Sequence, residues 1–179
     1  EDQVSPKRCG HMRGKKVVER GEALDRIRAA VDARNEGADI LIQARTDARH
    51  DHGLAEAIAR RQMFKEAGAD ILFVEAPRSR DEMATVCREV PGFHVANMLE
   101  GGDTPILSPR ELEEIGYKLA AYPLTLLSAA TKAMRAALAA LREGREPTEL
   151  LMSFPELRTI VGFDDYYAME KRYAEPDES

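Results

Sequence analysis

Tryptophan is absent from this 179-residue chain, and cysteine occurs only twice, at Cys9 and Cys87. Two cysteines so far apart make no disulfide framework, which points to a reducing, cytoplasmic setting. No apolar run approaches the roughly 18 residues that a membrane span needs, so no membrane partner is expected. Positive charge is also short: the formal net charge is −6. That balance argues against nucleic acid as a partner. The one basic cluster, Lys7 to Lys16, reads instead as a local anion site. Apolar residues make up 44% of the chain, enough for one globular core, and no second composition regime divides it. Residues 1–179 are therefore expected to form a single domain.

Four segments read as parallel strands buried on both faces: "DILIQART" (39–46), "DILFVEAP" (70–77), "HVANMLE" (94–100) and "YKLAAYP" (117–123). Each is a short apolar run that ends in polar or special residues. Helical patterns lie between them. Residues 19–37 place Ala23, Ile27, Ala30 and Val31 on one face, and residues 54–68 do the same with Leu54, Ile58 and Met63. Ser79 opens a helix that stops before Pro91, and Ser108 with Pro109 opens the next. "EGADIL" (36–41) recurs as "AGADIL" (67–72), a repeat of helix, glycine and strand. An Ala-rich helix runs from 124 to 144. The tail from 153 to 173 supplies one more short amphipathic helix.

Alternating βα units predict an α/β fold with a parallel sheet. Polar residues stand at the C-terminal end of every strand: Arg45 and Asp47, Glu75, Asn97 and Glu100, then Tyr122. In a (β/α)8 barrel all those ends converge on one face, so the expectation is the C-terminal portion of a TIM-type barrel. "ED" at residues 1–2 looks like the tail of a further strand. Four strands close no barrel, and the chain is expected to be a fragment whose remaining strands lie upstream.

Cys9 sits among Lys7, Arg8, Arg13, Lys15 and Lys16, with His11 two residues away and Gly10 and Gly14 beside it. Cations favour a thiolate and attract anionic substrates, and glycines let a loop close and open. A solvated basic loop is the alternative. Zinc is not expected, because Cys9 and His11 lack a second ligand pair. Glu1 and Asp2 offer oxygen ligands of the kind Mg2+ takes, although acidic residues at strand ends are common. Arg45 follows "ILIQA" and needs an anion; a substrate carboxylate is one partner, and Glu75 or Asp47 is the structural alternative. Glu75 closes "ILFV" and must be paired or hydrogen-bonded. Asn97 can bond a carboxylate or carbonyl. Cys87 reads as a core residue, while His50, His52 and His94 have no nameable partner.

"EDQVSPKRCGH", "ARTDA", "FVEAP", "NMLEGGDTP" and "GYKLAAYPL" together resemble the isocitrate lyase/phosphoenolpyruvate mutase superfamily. The resemblance is strongest to its branch of 2-methylisocitrate lyases, 2,3-dimethylmalate lyases, oxaloacetate hydrolases and petal death protein, often labelled carboxyvinyl-carboxyphosphonate phosphorylmutase. It implies a modified barrel whose C-terminal helices swap between subunits, giving a homodimer or homotetramer. It implies Mg2+, with Mn2+ as a substitute, held largely through water, with Glu1 as one ligand and the others upstream. It implies cleavage of a carbon–carbon bond in a small 2-hydroxy dicarboxylate. Cys9 matches the catalytic cysteine of the lyases and is expected to donate a proton, with Lys7 and His11 as further catalytic candidates. Arg8, Gly10, Arg45, Glu75 and Asn97 are the expected substrate contacts. An arginine of the 2-methylisocitrate lyases is replaced by Ser128 and another near Phe154, which favours a diacid over a tricarboxylate. Two alternatives stand beside the lyase. One is an oxaloacetate hydrolase or decarboxylase, or a phosphonate-forming mutase, on the same scaffold. The other is a non-catalytic half-barrel or dimerising module.

Overall fold

A helix follows each extended segment and carries the chain back across the sheet, so consecutive strands run parallel. The computed structural model describes residues 1–8 and 14–173. Strands β1 (Gln43–Thr46), β2 (Ile71–Val74), β3 (Phe93–Asn97) and β4 (Leu119–Ala121) form one parallel sheet in that order. Between and before them lie α1 (Arg20–Asn35), α2 (Arg49–His52), α3 (Leu54–Glu66), α4 (Arg80–Glu89) and α5 (Pro109–Ile115). After β4 come α6 (Thr125–Arg142), a 3-10 turn at Thr148–Leu150, α7 (Phe154–Ile160) and α8 (Phe163–Tyr173). Composition suggested one domain, and the chain groups into two compact units, Glu1–Leu127 and Ser128–Ser179. Among the described residues no helix is long and apolar enough to cross a membrane.

In the first unit the helices cover one face of the sheet with three apolar clusters. Ala23, Ile27 and Val31 of α1 meet Ala44, Phe64, Leu72 and Val90. Ala48, Ala57, Val74 and Val86 form the second cluster, and Met83, Cys87, Ala96, Met98, Leu107, Leu112 and Tyr117 the third. The ends of the helices follow local chemistry. Ser79 caps α4 by accepting from Glu82 N–H at 3.1 Å. Ser108 and Glu111 cap α5 reciprocally, with Pro109 at its first position. Gly116 ends α5 at φ 109°, and a Cβ there would lie 3.1 Å from the Cβ of Cys87. Only glycine satisfies both conditions.

Several elements differ from expectation. Ile40 and Leu41 were read as strand but stay outside it, 54% and 71% exposed. The Asp70 carboxylate accepts the Ile42 N–H at 2.8 Å, so regular pairing starts only at Gln43. β4 is exposed rather than buried on both faces, and among the described residues it pairs only with β3. Residues 49–52 form a short helix that no apolar pattern marks in the sequence. The tail holds two helices, separated at Gly162 with φ 84°. At residues 1–4 an isolated antiparallel bridge joins Gln3 to Val17 in place of the expected strand tail.

The buried face of α3 is Ala57, Arg60, Arg61 and Phe64, whereas Leu54, Ile58 and Met63 are only partly covered. Arg61 reaches the end of α4, where its guanidinium donates to Val86 O and, at 3.4 Å, to Val90 O. These carbonyls belong to the helix terminus that carries negative partial charge and lacks intrahelical donors. His94 also packs on Arg61, with Nε2 at 2.8 Å. Burial lowers the Arg61 pKa to about 10 and raises the Cys87 thiol to about 11.

The Cys87 shift has a sign that can be measured. A thiol raised above its ordinary value of 9.0 holds its proton longer in the folded protein. Its contribution is present below pH 9 and is lost as pH rises toward 11. Thermal melts should therefore show wild type losing stability relative to Cys87→Ala across that window. A melting-temperature difference that does not change with pH would contradict this.

Candidate active site

Strand alternation places Arg45, Phe73 and Val95 side by side on the sheet face opposite the helices, since Arg45 pairs with Phe73 and Phe73 with Val95. Two residues on, Asp47, Glu75 and Asn97 continue the same register at the C-terminal end of the sheet. Glu75 N–H still donates to Thr46 O, at 3.0 Å.

Arg45 is the centre of this layer. Its Nε and Nη2 both donate to the Asp47 carboxylate at 2.8 Å, a bidentate pair. Nη1 lies 3.1 Å from Glu75 Oε2, and Nε lies 3.5 Å from Glu1 Oε2. The guanidinium also stands 5.3 Å from the centre of the Phe73 ring. Burial alone would lower the Arg45 pKa. The hydrogen bonds to Asp47 and the charges of Glu75, Asp47 and Glu1 outweigh it and hold the pKa above its ordinary value. Asn97 Nδ2 approaches Glu75 Oε1 at 3.4 Å.

Behind this layer lies a carboxylate that takes no part in the open face. Asp2 is 1% exposed. Its oxygens accept from Thr46 Oγ1 at 2.7 Å, Asp47 N–H at 2.9 Å and Arg60 Nη1 at 3.2 Å. Arg60, itself buried, also donates to Val18 O and to Glu56. Arg20 donates to both oxygens of Glu56, sharing Oε1 with Arg60, and its hydrogen bonding is the main reason the Glu56 carboxyl falls to about 2. Lys15 Nζ is buried 3.7 Å from Asp47. Asp47 is thus oriented at its backbone by Asp2 and at its carboxylate by Arg45 and Lys15.

The structure therefore brings together Glu1, Lys7, Arg45, Glu75 and Asn97. Lys7 is largely exposed and pairs with Glu1 at 3.3 Å. Arg8 is anchored through its backbone: Gln3 accepts from Arg8 N–H at 2.8 Å and donates to Arg8 O at 2.9 Å. Arg8, Lys15, Lys16 and Gln3 line a cavity of about 200 Å3. Cys9, Gly10 and His11 lie outside the described residues. The structural alternative for Arg45 is realised, since Asp47 and Glu75 both engage it. Asp2, read beside Glu1 as an oxygen ligand, instead holds Thr46, Asp47 and Arg60, and Lys15, read as one cation of the basic loop, is buried against Asp47; Arg60 was missed altogether. A cation buried in a helix looks like any other helical arginine in the sequence, and only its tertiary partner distinguishes it.

The described residues contain no group of three His, Cys, Asp or Glu side chains able to hold a metal. Glu1 is half-buried at the open end of the sheet and can supply one carboxylate to a largely hydrated Mg2+, which takes one or two. Asp2 and Asp47 are committed to Arg60, Arg45 and Lys15.

A family profile described as phosphoenolpyruvate phosphomutase matches residues 1–142. The chain is 42% identical over 177 residues to 2,3-dimethylmalate lyase of Eubacterium barkeri, covering 97% of this chain and 61% of that protein. Among solved structures, oxaloacetate acetylhydrolase in complex with 3,3-difluorooxalacetate superposes with a TM-score of 0.89 at 32% identity, covering 98% of this chain and 60% of that one. Phosphonopyruvate hydrolase in complex with oxalate and Mg2+ superposes with a TM-score of 0.78 at 26% identity, covering 97% and 61%. The chain thus spans about three-fifths of each of these proteins. The sheet corresponds to part of the barrel of the phosphoenolpyruvate mutase/isocitrate lyase superfamily.

Asp2→Asn should be far more damaging than its position near the chain's first residue suggests. It leaves Arg60 buried beside an amide and turns one acceptor oxygen into a donor facing other donors. The expected loss is about 3–5 kcal/mol, the usual result of removing one member of a buried pair. It would be read as a lower urea midpoint at unchanged slope. A loss below about 1 kcal/mol, the level of an exposed pair, would overturn the assignment.

Proposed function

Because this chain belongs to the phosphoenolpyruvate phosphomutase family, we propose that the protein is a Mg2+-dependent carbon–carbon lyase acting on a small 2-hydroxy dicarboxylate. The observation that carries the reading is the Arg45 layer. Of the five N–H donors of a guanidinium, those on Nε, one on Nη2 and the Nη1 edge face Asp47 and Glu75. The remaining donors, at the C-terminal end of the sheet, are suited to a substrate carboxylate. Asn97 and Glu75 border the same place and orient the substrate.

In this reading the substrate's C2 hydroxyl loses its proton, the C2–C3 bond breaks, and the products are a 2-keto acid and the enolate of a carboxylate. Mg2+, when bound, lowers the pKa of that hydroxyl. Arg45 holds a carboxylate and stabilises developing negative charge from a fixed position. Cys9 donates the proton that converts the enolate into the released acid, with His11 and Lys7 setting its protonation and Arg8 and Gly10 contacting the substrate. Ser128 and a position near Phe154, where the resemblance places arginines of the 2-methylisocitrate lyases, favour an alkylmalate over a tricarboxylate. The C-terminal unit exposes Leu138, Leu141, Phe154, Ile160 and Met169, which supports a homodimer or homotetramer built through these helices. The remaining strands of the barrel are proposed to come from sequence upstream of Glu1.

A second reading on the same scaffold is hydrolysis of oxaloacetate, favoured by the likeness to oxaloacetate acetylhydrolase. Product analysis separates the two. The protein should release 2-keto acid from 2,3-dimethylmalate in a Mg2+-dependent, EDTA-sensitive manner. Oxalate release from oxaloacetate instead would establish the hydrolase, and preference for 2-methylisocitrate would overturn the reading of Ser128. Arg45→Lys should lower kcat/KM by about 10- to 100-fold, the loss of a charge-assisted bidentate contact. Cys9→Ser should lower kcat by about 100-fold or more while Mg2+ binding persists, and undiminished turnover would end the proton-donor role.

A further inference from the structure

Every described residue at positive φ is a glycine except Ala76, which takes φ 55° and is 3% exposed. This conformation penalises an L-residue and costs glycine nothing. The residue after it is Pro77, which restricts the backbone of its predecessor further. The chain uses glycine freely at its other sharp turns, so alanine here keeps a penalty that one substitution would remove. Such outliers persist where the surrounding structure over-determines them, and they cluster at functional sites.

Ala76 directly follows Glu75, whose side chain is 1% exposed, 3.1 Å from Arg45 Nη1 and 3.4 Å from Asn97 Nδ2. Glu75 N–H is still held by the sheet, through Thr46 O at 3.0 Å. Beyond it, Ala76 and Pro77 turn the chain out of the sheet toward α4, which begins on the Ser79 cap. The direction of the Glu75 carboxylate is thus fixed on one side by the sheet and on the other by this turn. At positive φ the well open to alanine is narrow, whereas glycine's is broad. We propose that Ala76 is a positioning residue, whose buried methyl group confines the turn after β2 to the one conformation that aims the Glu75 carboxylate at Arg45 and Asn97. The inference rests on the lyase reading of the Arg45 layer for its functional consequence, but not for its geometry.

The test is Ala76→Gly in the complete protein, with three readouts. Its melting temperature should stay level or rise, because the backbone penalty is removed. Its crystal structure should show Glu75 turned away from Arg45 or spread over several positions, no longer within the 3.1 Å seen here. Its kcat should fall by about 10- to 100-fold with KM little changed, as expected when a site group is misplaced by about an ångström. A clearly lower melting temperature would assign the methyl to core packing and overturn the proposal. So would a Glu75 that stays in place, or a kcat equal to wild type. If the wild-type protein cleaves no diacid, the lyase reading falls, and the position of Glu75 in the variant still decides the geometric claim.

Discussion

A single buried carboxylate joins the two halves of the site. Asp2 lies on an irregular segment with no sheet of its own, yet it accepts from the side chain of Thr46, the backbone of Asp47 and the guanidinium of Arg60. An unpaired carboxylate at that depth would be prohibitively costly, so its three donors must be assembled before the segment can settle. The segment that leads into the basic loop is therefore locked to the end of β1. Charges then alternate outward: Asp2 binds Arg60, Arg60 binds Glu56, and Glu56 binds the surface Arg20. On the other side Asp47 binds Arg45, and Arg45 faces Glu75 and Glu1. Each cation is oriented by an acid that another cation orients, so the order of the open face traces back to Asp2.

In the proposed role, this arrangement would equip Arg45 for anion recognition although acids surround it. Asp47 takes the Nε side of the guanidinium and prevents rotation, and Phe73 supports its plane. A fixed fork loses little entropy when it binds a carboxylate. A lysine could carry the charge, but its ammonium is a point charge on a flexible stem and has no rigid fork to fix its direction.

Much of the scaffold was legible. Ser79, Ser108 with Glu111, and Gly116 mark helix ends by hydrogen bonds made within a few residues, so local sequence suffices. The apolar runs ending at Arg45, Glu75 and Asn97 placed these three on one face, because strand periodicity is also local. What escaped was tertiary. Ile40 and Leu41 look like strand, but the Asp70 side chain occupies the adjacent backbone donor. Arg60 and Arg61 look like solvated helix surface, yet their partners Asp2 and the end of α4 are distant in sequence. Glu1 drew attention as the acid of its motif, while the adjacent Asp2 bears the structural burden. Nothing in the spacing separates two neighbouring acids until their donors are seen. The break at Gly162 was readable in principle, since glycine at positive φ ends a helix.

Arg61 has a mechanical implication. It extends from α3 to the final carbonyls of α4, at the end of the sheet away from Arg45. Two successive helices are thereby fastened to each other at their base rather than only pressed onto the strands. A load applied at that end is shared between them, and the pair resists shear as one block. The opposite rim carries a tie of its own, where Arg49 of α2 donates to the Glu82 carboxylate of α4 at 2.8 and 2.6 Å. The helices of this unit are thus fastened at both ends of the sheet, so the strand ends that carry Arg45 and Glu75 stand on a braced support.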